Sequence, residues 1–176
     1  MPEVTFNTVE GQTIERELLI ACLNTGTSAT SPVWSPLGTR VEDSSMEYDW
    51  NDESKKDIRG VTRNKMQKPK ITQSFDPSEL DKGEPALVKI WTLAVKEQNA
   101  AALAAQDVLV VHAYAGTAGT AVFAERYSAC MVKPTGLGGS TEVDMPYEIT
   151  YGGTRTTGTA AIASDGTITF KADGEV

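Results

Sequence analysis

The sequence predicts a mainly β protein, a β-sandwich or open barrel with one flanking α-helix and one long loop. Three observations carry this. Roughly seven or eight segments are short apolar runs or alternate with period two. Only one stretch has helical spacing. Near the C-terminus, Ser164-Asp165-Gly166 separates two strand-like runs and reads as a hairpin turn.

Taken in order, residues 1–16 are polar and mixed and read as an N-terminal arm, ahead of one domain spanning 17–176. Glu17 to Leu23 is the first strand. Asn24 to Pro36, rich in Thr, Ser and Pro, is a loop with Trp34 as an anchor. In Ser45 to Asn51 the residues Met46, Tyr48 and Trp50 alternate with Glu47, Asp49 and Asn51, the pattern of a half-buried strand. A long loop over about 51–69 leads to the strand Lys70 to Asp76, closed by Asp76-Pro77. Pro85 opens the helix, about 84–98, on which Leu87, Ile90, Trp91 and Ala94 form one apolar stripe. The Ala-rich run Asn99 to Gln106 either prolongs it or forms a second short turn. Strands follow at Val108 to Ala115, Ala121 to Val132, Glu142 to Tyr151, Gly158 to Ala163 and Thr167 to Lys171.

The chain has 176 residues, enough to bury a core without disulfide staples. Its formal net charge of −8 argues against a nucleic-acid-binding protein, while leaving room for a surface that DNA passes without sticking. No run is long and apolar enough for a membrane helix. The start, Met1-Pro2-Glu3-Val4, has neither basic residues nor an apolar core, so no secretory signal is expected and Cys22 and Cys130 read as buried free thiols.

The charge pattern is uneven. Six acids fall between Glu42 and Glu53, and seven of the sixteen basic residues fall between Lys55 and Lys70. Such a bipolar stretch suits head-to-tail assembly better than a solvated loop or a nucleic-acid patch, since no aromatics are interleaved with the bases.

Catalytic and ligand motifs are weak. The single histidine, His112, lies in an apolar strand and reads as a satisfied core residue rather than the base of a nucleophilic site. Gly136 to Thr141 lacks the lysine and the following helix of a phosphate loop. Asp49 to Glu53 lacks calcium-loop spacing and reads as a solvated turn. Nothing singles out a carboxylate pair for hydrolysis. No enzyme activity, cofactor or metal is expected. A carbohydrate-binding module or adhesin needs an aromatic platform, for which Trp34 and Tyr151 are the candidates.

The order of segments supplies more. A strand ending near Cys22 leads through Pro32-Val-Trp-Ser-Pro-Leu-Gly38 to Met46-Glu-Tyr-Asp-Trp50. Then come Lys56-Asp-Ile-Arg-Gly60, a basic stretch and Lys70 to Pro77. After the helix follow Asp107 to Val111, Glu125 to Ala129, Gly136 to Gly139 and the final hairpin at Gly158. This order resembles the phage major tail protein family, the tail tube subunits of long, non-contractile tails, over about residues 17–171. The Ala-rich stretch 99–106 and the short C-terminal end do not match the family pattern, and no immunoglobulin-like module is appended. The resemblance implies hexameric rings stacked into a tube that conducts DNA at ejection. It implies a location in the virion tail, with assembly in the host cytoplasm. The partners it implies are further copies of the chain, a tape-measure protein and terminator or tip proteins, with DNA passing only transiently. It also implies an inter-ring arm, placed on Lys55, Arg59, Arg63 and Lys65, and an acidic lumen face, placed partly on Glu47, Asp49, Glu142, Asp144 and Glu148. The tube of a contractile tail or bacteriocin particle is the related alternative.

Overall fold

In the computed structural model, which describes residues 4–174, eleven strands form. They are β1 (Leu19–Asn24), β2 (Trp34–Pro36), β3 (Met46–Asp49), β4 (Glu53–Lys56), β5 (Thr62–Lys65), β6 (Lys70–Phe75), β7 (Gln106–Thr117), β8 (Ala121–Pro134), β9 (Tyr147–Thr150), β10 (Arg155–Ile162) and β11 (Ile168–Ala172). The order β10-β11-β2-β1-β7-β8 closes on itself, because β8 also pairs with β10. The open-barrel alternative of the sequence reading thus becomes a closed six-stranded barrel with no free edge.

Closure works because β8 is long enough to serve two partners. Its first half, Val122 to Tyr127, pairs with β10, and its last residues, Met131 to Pro134, pair with β9. β9 continues into β6 and β3, so a second sheet, β8-β9-β6-β3, leans off the barrel. Where β8 changes partner, the chain after Tyr151 crosses it tightly. Thr154 N–H donates to Ser128 Oγ (3.0 Å), and Gly153, at φ +71°, passes so near Ala129 that a Cβ would collide with its backbone nitrogen.

Two cores follow. Inside the barrel lie Cys22, Trp34, Leu109, Val111, Val122, Ala124, Ala160 and Ile168. Between the barrel wall, the second sheet and the helix lie Leu23, Phe75, Leu87, Ile90, Val108, Val110, Tyr147 and Ile149, among others. Successive residues of β1 and β7 therefore serve opposite cores, which is why both strands read as unbroken apolar runs. Phe75 and Tyr147 stack at 4.7 Å within the second core, and Gln73 bridges Ser44 Oγ and the Tyr151 hydroxyl there.

The helix is α1 (Pro85–Trp91), with Ala86, Leu87 and Ile90 turned inward. It loosens into a π-helical turn, Thr92–Lys96, where Glu97 N–H reaches back to the Thr92 carbonyl (2.9 Å). The Ala-rich run forms a separate short helix, α2 (Ala100–Leu103), capped by the Asn99 side chain on Ala102 N–H (3.0 Å).

Three local expectations change. Trp34–Pro36 is a strand rather than a loop, and Trp34 is buried. Glu142 to Met145 is not part of β9. Pro146 has no N–H to give the ladder, and Asp144 bridges Gly138 and Glu79 in loops instead. In the N-terminal arm, Met1 to Glu3 lie outside the described residues, but residues 5–7 are anchored to the barrel. Asn7 N–H donates to the Tyr114 carbonyl (2.9 Å) and Phe6 meets Tyr114 edge-on.

Candidate assembly surface

β3 pairs with β6 on one side and with no other strand among the described residues, so it is the exposed edge of the second sheet. Beyond it the same two chain segments continue as a free-standing ribbon. Gln67 N–H donates to the Trp50 carbonyl (3.2 Å), and β4 then pairs with β5, with Glu53 opposite Lys65 and Lys55 opposite Arg63. Every residue of β4 and β5 is exposed. From Trp50 to the tip is about eight residues, or ~26 Å at ~3.3 Å per residue.

The bend into this arm is built locally. Asn51 sits at φ +45°, a conformation Asn tolerates, and the Asp49 carboxylate accepts its N–H (3.0 Å). Residues 50–52 thus form the short connection between β3 and β4. The tip is built the same way. Asp57 Oδ1 accepts from Arg59 N–H (2.9 Å) and Val61 N–H (3.0 Å), and Gly60 takes φ +83°. A carboxylate thus fixes a turn that presents Ile58 to solvent at 106% relative exposure, with Val61 and Met66 also exposed.

The predicted burial of the Met46, Tyr48, Trp50 face is realised only at Met46, which packs partly on the second core. Tyr48 and Trp50 remain 45% and 44% exposed with their rings stacked at 6.3 Å. They overhang a groove of ≈ 700 Å³ whose wall includes Lys68, Pro69, Thr154 and Arg155. Trp34 and Tyr151, the candidate sugar platform, are both buried and do not form one.

Glu125 lies in that groove and is 8% exposed. It accepts from Tyr127 Oη (2.9 Å) and Arg155 Nε, and its other oxygen meets His112 Nε2 at 3.0 Å. Burial alone would raise its pKa. The hydrogen bonds of His112, Arg155 and Tyr127 and the Arg155 charge outweigh this and hold the carboxyl down at about 2. His112 also meets the Tyr114 hydroxyl (2.8 Å), so both ring nitrogens are engaged, as read from sequence. The thiols of Cys22 and Cys130 are free, and burial pushes both up to about 12.

The five acids assigned to one face do not share one. Glu47 and Asp49 on β3 and Glu148 on β9 lie on the outer face of the second sheet, but Lys70 stands opposite Asp49 and Lys133 pairs with Glu148 (3.5 Å). Glu142 and Asp144 lie in the loop before β9. Lys55, Arg59, Arg63 and Lys65 all lie on the arm. Lys55 contacts Glu53 (3.3 Å) and Arg63 contacts Asp57 (3.8 Å), both exposed pairs of little energetic weight.

The fold also separates charges that the sequence places side by side. Glu42 and Asp43 precede β3 and so lie at the end of the β3–β6 pair opposite the arm, where Asp43 bridges Asp76. Glu79 and Asp81 follow, paired with Arg40. One end of the sheet is a basic arm and the other an acidic cluster. The sequence shows the stretch as bipolar; the fold adds that Glu42 and Asp43 stand at the far end of it, while Asp52 and Glu53 stay at the root of the arm.

No family model matches the chain, and no curated protein matches it by sequence. Among solved structures it is similar to the tube-terminating cap of an anti-feeding prophage (16% identity over 88% of this chain and 96% of that one, TM-score 0.45). It is also similar to the sheath/tube terminator of an extracellular contractile injection system (9%, 85% and 99%, 0.46). A third similarity is to a chain of the sheath–tube complex of such a system (10%, 93% and 94%, 0.42).

Proposed function

We propose that this chain is a structural subunit that assembles with its own copies, head to tail, into a phage-tail-like tube. The observation that carries the reading is the opposed placement of the basic arm and the acidic cluster on the two ends of the β3–β6 pair. Opposite ends of opposite charge favour a heterologous contact, which repeats rather than closing as a two-fold dimer. An arm ~26 Å long, exposed on every strand residue, supports this further, because a lone two-stranded ribbon is marginal in water and gains stability from a partner. The hexameric ring and the conduit for DNA rest on the segment order described above. The acidic lumen is kept in this reading for Glu47, Asp49 and Glu148, which share the outer face of the second sheet with Lys70 and Lys133.

Electron microscopy of the purified protein tests the reading. Wild type forms stacked rings or tubes, whereas the double variant Arg59→Glu, Arg63→Glu stays dispersed with an unchanged circular-dichroism spectrum. Normal tubes from the double variant contradict a role for the arm.

A further inference from the structure

We infer that the arm tip of one copy seats in a particular groove of the next, the one at the acidic end of the second sheet. This rests on the head-to-tail reading and names its acceptor. The groove, ≈ 680 Å³, runs between the turn before β1 and the segment 37–44. Leu19, Leu37, Val41 and Phe75 supply its apolar lining, and Glu15, Glu17 and Glu42 its charge. The occupant carries the matching features: Ile58 and Val61 as an apolar knob on a turn fixed by Asp57, with Arg59 and Arg63 beside them.

Charge and position together select this groove, which is lined by Ser44, Gln73 and Phe75 at the end of the β3–β6 pair opposite the arm. Among the described residues Arg16 is the one cation lining it, held by the carbonyls of Ser44 (3.1 Å from Nε) and Leu19 (2.7 Å from Nη1), and the three carboxylates outnumber it. Among the described residues none of the three carboxylates is in an ion pair, and neither is Arg59 on the arm. Among the described residues Lys133 is the only charged one lining the apolar groove below α2, which would repel the tip. The groove at Tyr48 and Trp50 carries Lys68 and the Glu125–Arg155 pair, so its net charge is positive, and it lies at the arm's own base. The groove at the barrel mouth is also acidic, with Glu84 and Asp165, but none of its lining residues belongs to β3, β6 or β9, so it does not sit at the end of the β3–β6 pair opposite the arm.

Charge exchange tests the pairing. The groove variant Glu17→Arg, Glu42→Arg and the tip variant Arg59→Glu, Arg63→Glu should each raise the protein concentration needed for assembly at least tenfold in low salt. The chain carrying all four substitutions should assemble near the wild-type concentration. Pelleting measures this, and thermal melts check that each variant is folded. As a second readout, Ile58→Cys with Val41→Cys should give an oxidation-dependent ladder of oligomers that neither single variant gives. Wild-type tubes with no effect of the groove substitutions, or no rescue in the fourfold variant, overturn the acceptor assignment while leaving head-to-tail assembly standing. A wild type that never assembles overturns the underlying reading instead.

Discussion

Replacing Glu125 by Gln isolates the charge that ties β10 to β8 at the barrel seam. Glutamine keeps the shape and retains partners. Its carbonyl can accept from Tyr127 and Arg155, and its amide can donate to His112 Nε2 if the imidazole donates through Nδ1 to Tyr114. What is lost is the ionic component. The folded carboxyl is held at about 2 against an ordinary value of 4.5. At 1.36 kcal/mol per pH unit that difference is on the order of 3 kcal/mol. Solvent at the half-exposed Arg155 side chain reduces it to about 2 kcal/mol. A depressed carboxyl pKa stabilises the fold above the unfolded value, so this contribution is whole at neutral pH and fades as pH falls from about 4.5 toward 2. Urea unfolding followed by circular dichroism should place the variant midpoint about 1 M below wild type at pH 7, taking a slope of ~2 kcal/mol/M. The gap should narrow steadily as the pH is lowered to 3. A gap of the same size at both pH values would refute the assignment of the stabilisation to an ionised Glu125.

Two further perturbations probe the fold. A methyl group at position 158 would meet the Lys171 carbonyl oxygen and the Phe170 ring across the β10–β11 pairing, so Gly158→Ala should cost about 2–3 kcal/mol, read as a lowered melting temperature. An unchanged melt would show that this seam is loosely packed. Cys22 and Cys130, buried with thiols near 12, should resist a disulfide-exchange reagent at pH 8 and react only on unfolding. Rapid labelling of the native protein would contradict their burial.

What the sequence made legible follows from physical range. Period-two alternation is a local signal, and it located β3 and β9 and the buried residues Tyr147 and Ile149. The hairpin at Ser164 to Gly166 is equally local and forms as read, with Ala163 N–H bonded to the Thr167 carbonyl (2.9 Å). β2 was hidden because a three-residue strand that ends in Pro36 owes its state to β1 and β11, not to propensity. Tyr48 and Trp50 show the opposite failure. Their pattern predicted a covered face, but a strand at the edge lacks a neighbour to cover it. The Glu125 cluster joins residues on three strands, and no spacing along the chain announces it. The bipolar stretch was legible in the sequence, but the distance between its ends is a product of the fold, since β3 separates Glu42 and Asp43 from the arm.

The central claim is a polar, head-to-tail contact between copies through the arm, and cryo-electron microscopy of the assembled wild-type protein addresses it directly. The account predicts a tube in which all subunits point the same way and each arm, Glu53 to Lys65, reaches the acidic end of a subunit in the next layer. Arms meeting arms across a two-fold axis, or a protein that remains monomeric at high concentration and low salt, would contradict it.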